Sequence, residues 1–257
     1  CMFSVYTRAG YSHRKGLETE NLLDVLTHAG VDTEWWDNNT GSKKIAARVK
    51  ERSLIDGGNP RDCSGGECQD QVLLDNLDAW IGSVKKDTVL VLHQIGSHGP
   101  AYFERYPDEF RRFKPDCRSV EFSDCTRDEI VNAYDNALLY TDHFLAATIG
   151  FLKSQKQYDT ALIYVSDHGE SLGEKGLFLH GVPYAIAPQE QIHVPMTMWF
   201  SPGFATASGL DMQCVQDKSA QPTSHDALFP SVLGLLQVET REYRMAGDLF
   251  AACRRGG

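Results

Sequence analysis

Two places in this sequence join an apolar run to a glycine-rich stretch that carries imidazoles and carboxylates. The run VLVLH leads into HQIGSHGP, which puts His93 and His98 at or just past the end of one apolar segment. The run LIYVSDHGESLGE puts Asp167, His168 and Glu170 directly after another, and His180 follows in GLFLHGVPY. A hard carboxylate with imidazoles is a ligand set that suits zinc or a similar divalent ion. Such an ion polarises a phosphoryl oxygen and lowers the pKa of a bound hydroxyl, which activates a serine or threonine nucleophile. A single histidine at a strand end is more often a satisfied polar residue, and an isolated Asp-His pair is weak. The set together is stronger: Asp167, His168, His98 and His180 at two strand ends, with Gly96, Gly99, Gly169, Gly173 and Gly181 around them. His93 is read as support for its strand end. His225, in SHDAL, is read as structural at the opening of a helix where Ser224 or Asp226 caps.

The elements that would position these residues alternate along the chain. Helical patterns cover Leu17–His28, Gln69–Ile81, Thr126–Gln155 and about Ser224–Leu236. Thr126 with Glu129 three residues on reads as a capping box for the longest of them. Strand patterns cover Thr33–Trp36, Asp87–Leu92, Thr160–Val165 and His193–Phe200. The last three are continuously apolar, as expected when both faces are covered. This alternation predicts one α/β domain over residues 1–257, a mainly parallel sheet between helical layers. In such sheets ligands bind outside the carboxyl ends of the strands, which is where the candidate ligands fall.

Composition narrows the function classes. The chain has 257 residues, 42% apolar and 10% aromatic, enough for a large core. A formal net charge of −10 opposes nucleic-acid binding and adhesion to anionic lipid by diffuse charge. An anionic substrate must then be held locally, by metal and a few cations. No apolar run approaches a bilayer span, and no signal peptide opens the chain, so the residues given read as soluble. Seven cysteines lie at 1, 63, 68, 117, 125, 214 and 253. Cys63 and Cys68 close the short loop CSGGEC, Cys117 and Cys125 bracket a polar stretch, and Cys214 and Cys253 lie in late polar segments that can meet. Three disulfides, Cys63–Cys68, Cys117–Cys125 and Cys214–Cys253, are expected in an oxidising compartment; free thiols and a zinc knuckle are the alternatives. Cys1 is left without a partner.

The strings SDHGESLGE…FLHG, HQIGSHGPAYFERYP, YDNALLYTD and the initial CMFS closely resemble the lipid A phosphoethanolamine transferases, which include the mobile colistin-resistance enzymes. The resemblance covers essentially the whole chain. It implies an alkaline phosphatase/sulfatase-like fold and a catalytic domain on the periplasmic face of the bacterial inner membrane. It also implies one or two zinc ions, and polymyxin or colistin resistance as the outcome. The implied reaction moves phosphoethanolamine from a phosphatidylethanolamine donor to a lipid A phosphate acceptor through a phosphorylated threonine. Position by position, Asp167 and His168 match zinc ligands, and His98 and His180 match histidines that contact the phosphoethanolamine group or a second zinc. In that role His98 or His180 would also assist the leaving alcohol. Glu170 matches a carboxylate that orients a ligand. The stretch WWDNNTGSK matches a substrate loop, making Asn39 and Lys43 candidates for binding phosphoethanolamine; on residue type alone Lys43 reads as a solvated surface lysine. Ser97 stands where several relatives carry Asn.

In the family a glutamate zinc ligand and the threonine nucleophile precede the CMFS string, and Cys1 matches a cysteine that pairs with one just before it. Both metal-site residues, and a membrane domain, are therefore expected upstream of residue 1, along with a first sheet strand. The 257 residues alone are expected to be inactive, and the protein is expected to be monomeric, with no nucleic-acid partner. Two other readings stand beside the transferase: a phosphatase or sulfatase of the same superfamily, and a non-catalytic metal-binding or lipid-binding domain.

Overall fold

The computed structural model describes residues 2–55, 63–64 and 66–255. Two short helices, α1 (His13–Glu18) and α2 (Leu22–His28), stand where the pattern predicts one over Leu17–His28. Asn21 makes the break. Its Oδ1 accepts from Leu23 N at 2.9 Å, and its own N–H donates to Asp24 Oδ2 at 2.7 Å. These caps satisfy amides that a continuous helix would bond internally, so the helix restarts there.

The strands β1 (Asp32–Asp37), β2 (Lys50–Ser53), a hairpin of β3 (Cys63–Ser64) and β4 (Glu67–Cys68), and β5 (Thr88–His93) come next. Between β4 and β5 the predicted helix over Gln69–Ile81 is a 3-10 turn, Asp70–Leu73, followed by α3 (Leu77–Ile81). Asp70 is buried and its carboxylate faces backbone amides of residues 95 and 96, so this turn is shaped by a tertiary contact. β2, β1 and β5 form a parallel sheet in that order, with Asp37 paired to His93 at its carboxyl end.

The helix α4 (Arg127–Ser154) carries the predicted cap: Glu129 Oε2 accepts from Thr126 N at 2.7 Å and Thr126 Oγ1 accepts from Glu129 N at 3.3 Å. Its buried residues Ile130, Ala133, Ala137, Tyr140 and Phe144 recur every three or four positions, one stripe of a 3.6-residue helix. β6 (Ala161–Val165), the hairpin β7 (Ser171–Leu172) and β8 (Phe178–Leu179), α5 (Gln189–Ile192) and β9 (Met196–Phe200) follow. β9 pairs antiparallel with β6. The chain ends through α6 (Pro202–Ala207), α7 (Met212–Lys218) and α8 (Leu228–Leu235). The architecture is α/β, as expected, with the antiparallel pair β6–β9 and two short antiparallel hairpins, β3–β4 and β7–β8, beside the parallel strands. Every residue of β5 and β6 is only half-buried, which departs from the expected full cover. Among the described residues each of these strands pairs on one side only.

Trp36, Leu73 and Phe144 centre one core cluster, and Leu26, Phe229 and Leu233 another. The three predicted disulfides are present: Cys63–Cys68, Cys117–Cys125 and Cys214–Cys253. Cys1 lies outside the described residues. No helix among the described residues is long and apolar enough to cross a membrane.

Candidate metal centre

The loop after β5 and the loops after β6 bring His98, His168 and His180 together. One ligand atom of each lies within 4.8 Å of the others. The His168 and His180 rings stack at 3.8 Å between centroids, and His98 meets them edge-on at 5.9 and 4.9 Å.

Their Nδ1 atoms are all engaged. His98 Nδ1 lies 2.7 Å from Gly99 O, His168 Nδ1 3.1 Å from Gly169 O, and His180 Nδ1 3.0 Å from Glu170 Oε1. Carbonyls and carboxylates accept, so each Nδ1 is placed as the N–H donor, and a neutral ring in that tautomer has its lone pair at Nε2. Three imidazoles in that tautomer are a donor set that fits zinc. Asp167 stands at the edge of this group, its carboxylate 69% exposed and its Oδ1 3.8 Å from His168 Nε2. With ligand bonds of about 2.0–2.2 Å, both atoms fit around one ion.

Glu170, the orienting carboxylate expected from sequence, is buried against His180. Its other oxygen accepts from Tyr102 OH at 3.2 Å. Burial pushes the Tyr102 phenol up, and Glu170 beside it adds to that, so the phenol stays a donor. Tyr102 escaped sequence reasoning: nothing in PAYFERYP marks it as touching a residue far along the chain. The loop of Asp167–Gly169 is fixed by Gly169 N donating to Gln191 O at 3.0 Å, and a Cβ on Gly169 would run into the Glu190 carbonyl. His225 Nε2 lies 2.7 Å from Ser166 O, just past β6, which fits its structural reading. Neither expected cap forms through a side chain there, and Asp226 instead accepts from Arg8 N.

The Asn39 and Lys43 loop follows β1, beside the loop that carries His98. Asn39 Nδ2 donates to Gln94 O at 3.1 Å, whereas the exposed Lys43 folds back, its Nζ donating to Thr40 Oγ1 at 2.8 Å. Asp37 organises this loop: its Oδ2 accepts from Gly41 N at 2.8 Å and its Oδ1 lies 2.5 Å from His93 Nδ1. Burial pushes the Asp37 carboxyl up, but the His93, Gly41 and Trp35 hydrogen bonds outweigh it and hold it below the ordinary range. His93 thus supports the strand end.

A parallel strand set whose carboxyl end carries an imidazole cluster defines an α/β domain with a candidate metal site, and a solved Vibrio parahaemolyticus protein of the alkaline phosphatase superfamily, 16% identical with a TM-score of 0.53 over 94% of this chain and 54% of that one, shares its fold. The family model described as Sulfatase matches residues 1–238. The phosphoethanolamine transferase EptA of Escherichia coli is 43% identical over 257 residues, covering 99% of this chain and 47% of the relative. The phosphatidylethanolamine transferase Mcr-2 of Escherichia coli is 40% identical over 251 residues, 93% of this chain and 44% of the relative. The solved soluble domain of lipooligosaccharide phosphoethanolamine transferase A from Neisseria meningitidis is 44% identical, with a TM-score of 0.96 over 99% of this chain and 77% of that one. The chain belongs to the sulfatase family and, within it, to the phosphoethanolamine transferases. It spans about half the length of the curated relatives it matches.

Proposed function

We propose that this chain is the catalytic domain of an enzyme that moves phosphoethanolamine from phosphatidylethanolamine to a lipid A phosphate. The observation that carries the reading is the convergence of His98, His168 and His180, each with its Nδ1 engaged by an acceptor and its Nε2 left to ligate. Asp167 and His168 would hold zinc, and His98 and His180 close the same face, where they meet the phosphoryl group or a second ion. The ion would supply charge stabilisation at phosphoryl oxygens and lower the pKa of a bound hydroxyl. The nucleophile is a threonine outside the 257 residues, as the family resemblance implies.

The chain's own residues do the rest. Glu170 orients His180 through Nδ1, and Nε2 of His180 or His98 is the atom that would take up the proton of the nucleophile hydroxyl and pass it to the leaving alcohol. Asn39 and Lys43 are the proposed contacts for phosphoethanolamine, Lys43 after releasing Thr40. The domain works on the periplasmic face of the inner membrane as a monomer, and its product confers polymyxin resistance. Transfer of labelled phosphoethanolamine from a lipid donor to lipid A by the full-length protein tests this, and release to water without transfer would overturn it. The sulfatase family match keeps one second reading, hydrolysis of simple phosphate or sulfate esters, which substrate profiling separates.

A further inference from the structure

The loop that carries His98 is gripped at both ends by buried charged side chains that take no part in the chemistry described above. At its start, Asp70 Oδ1 accepts from Ile95 N at 2.9 Å and Asp70 Oδ2 from Gly96 N at 3.0 Å. Asn38 Nδ2 at 2.8 Å and Gln94 Nε2 at 3.3 Å add two further donors, so the carboxylate is saturated by N–H groups. At its end, Arg105 Nε donates to His98 O at 2.9 Å, and Arg105 Nη1 donates to Glu67 Oε2 at 2.5 Å. Asp70 is 3% exposed and Arg105 7%.

Both grips trace to one short stretch of chain, the end of β4 and the 3-10 turn that follows it. Glu67 and Asp70 flank Cys68, which is disulfide-bonded to Cys63 and whose carbonyl accepts from Asn38 Nδ2 at 2.9 Å. Gly96, whose own N–H is held by Asp70, sits at φ +59°, a left-handed conformation that glycine adopts without strain. The orientation matters because Arg105 holds the 98–99 peptide through His98 O, and His98 Nδ1 finds its acceptor in the peptide that follows, at Gly99 O. If the 98–99 peptide turns, Gly99 O is carried away from the ring and the imidazole no longer presents Nε2 to His168 and His180. An isolated buried carboxylate or guanidinium is costly, and here each is offset by bonds to the same loop.

We propose that Asp70 and Arg105 are positioning residues that hold His98 in the tautomer and direction needed for metal binding. This rests on the metal reading of the three histidines. The test measures zinc affinity of the chain by competition with a chromophoric chelator, for wild type, Asp70→Asn and Arg105→Lys, and for each in a His98→Ala background. Asparagine would set an amide against backbone N–H donors, and lysine keeps the charge but loses the planar fork. Each single variant is expected to lose affinity about tenfold, as for other groups that orient a ligand from behind. Neither should add a loss when His98 is already alanine. Equal losses in both backgrounds, or none in either, would overturn the proposal.

A metal-free readout keeps the two readings apart. Imidazole nitrogen-15 shifts of the zinc-free chain should show His98 protonated at Nδ1 in wild type and as a tautomer mixture in both variants. An unchanged tautomer in the variants sinks the positioning role. A wild-type chain that binds no zinc sinks the metal reading and leaves the tautomer measurement to decide the clamp. Arg105→Lys, being the milder change, serves if Asp70→Asn does not fold.

Discussion

Glu170 shows what a single side chain contributes at this centre. It is buried, it holds His180 through Nδ1, and it is held in turn by Tyr102. Replacing it with glutamine removes the charge that favours the Nδ1–H tautomer. The expected result is a loss of zinc affinity of about 10- to 100-fold, measured by chelator competition. Unchanged affinity would refute the orienting role. Asp37 makes the second prediction at this scale. Its folded-state pKa lies below the ordinary value of 3.8, so its contribution to stability is present above that value and lost as pH falls through the lowered one. Asp37→Asn should therefore flatten the acid limb of stability against pH, read by urea unfolding at stepped pH.

At the level of elements, α4 is the clearest test of local rules. Thr126→Ala removes the Oγ1 half of the capping box, leaving the backbone N–H of residue 126 to donate to Glu129, and should cost about 1 kcal/mol in denaturant unfolding, with the fold retained. This helix was legible because its cap and its apolar period lie in adjacent residues. The segment Gln69–Ile81 carries an equally helical pattern and folds otherwise. Asp70 turns inward to amides twenty-five residues away, and no local signal in the sequence announces that partner. The same holds for β9, whose apolar run showed a strand but not its direction; the direction follows from its ladder with β6.

Across the whole molecule, the disulfides divide by reach. Cys63–Cys68 and Cys117–Cys125 close short loops, whereas Cys214–Cys253 spans 39 positions and ties α7 to the chain end. Replacing Cys214 and Cys253 with serine should destabilise the domain most, by about 2–4 kcal/mol, because the longer loop regains more entropy when freed. Thermal and denaturant unfolding of the three paired-serine variants gives the ranking. A larger loss from either short bridge would contradict it.

The amino-acid sequence by itself determined the α/β class, the three cysteine pairs, the long capped helix and the identity of the histidines and carboxylates worth attention. Those features are written in neighbouring residues: period, caps, and polar groups set at the ends of apolar runs. Tertiary structure alone decided that His98, His168 and His180 share one face with Asp167 at its rim. It also decided that Glu170 and Tyr102 stand behind His180, and that Asp70 and Arg105 hold the His98 loop. Each of those arrangements needs side chains from segments far apart in sequence to satisfy one another's hydrogen bonds, and burial that enforces such pairing exists only once the chain has folded.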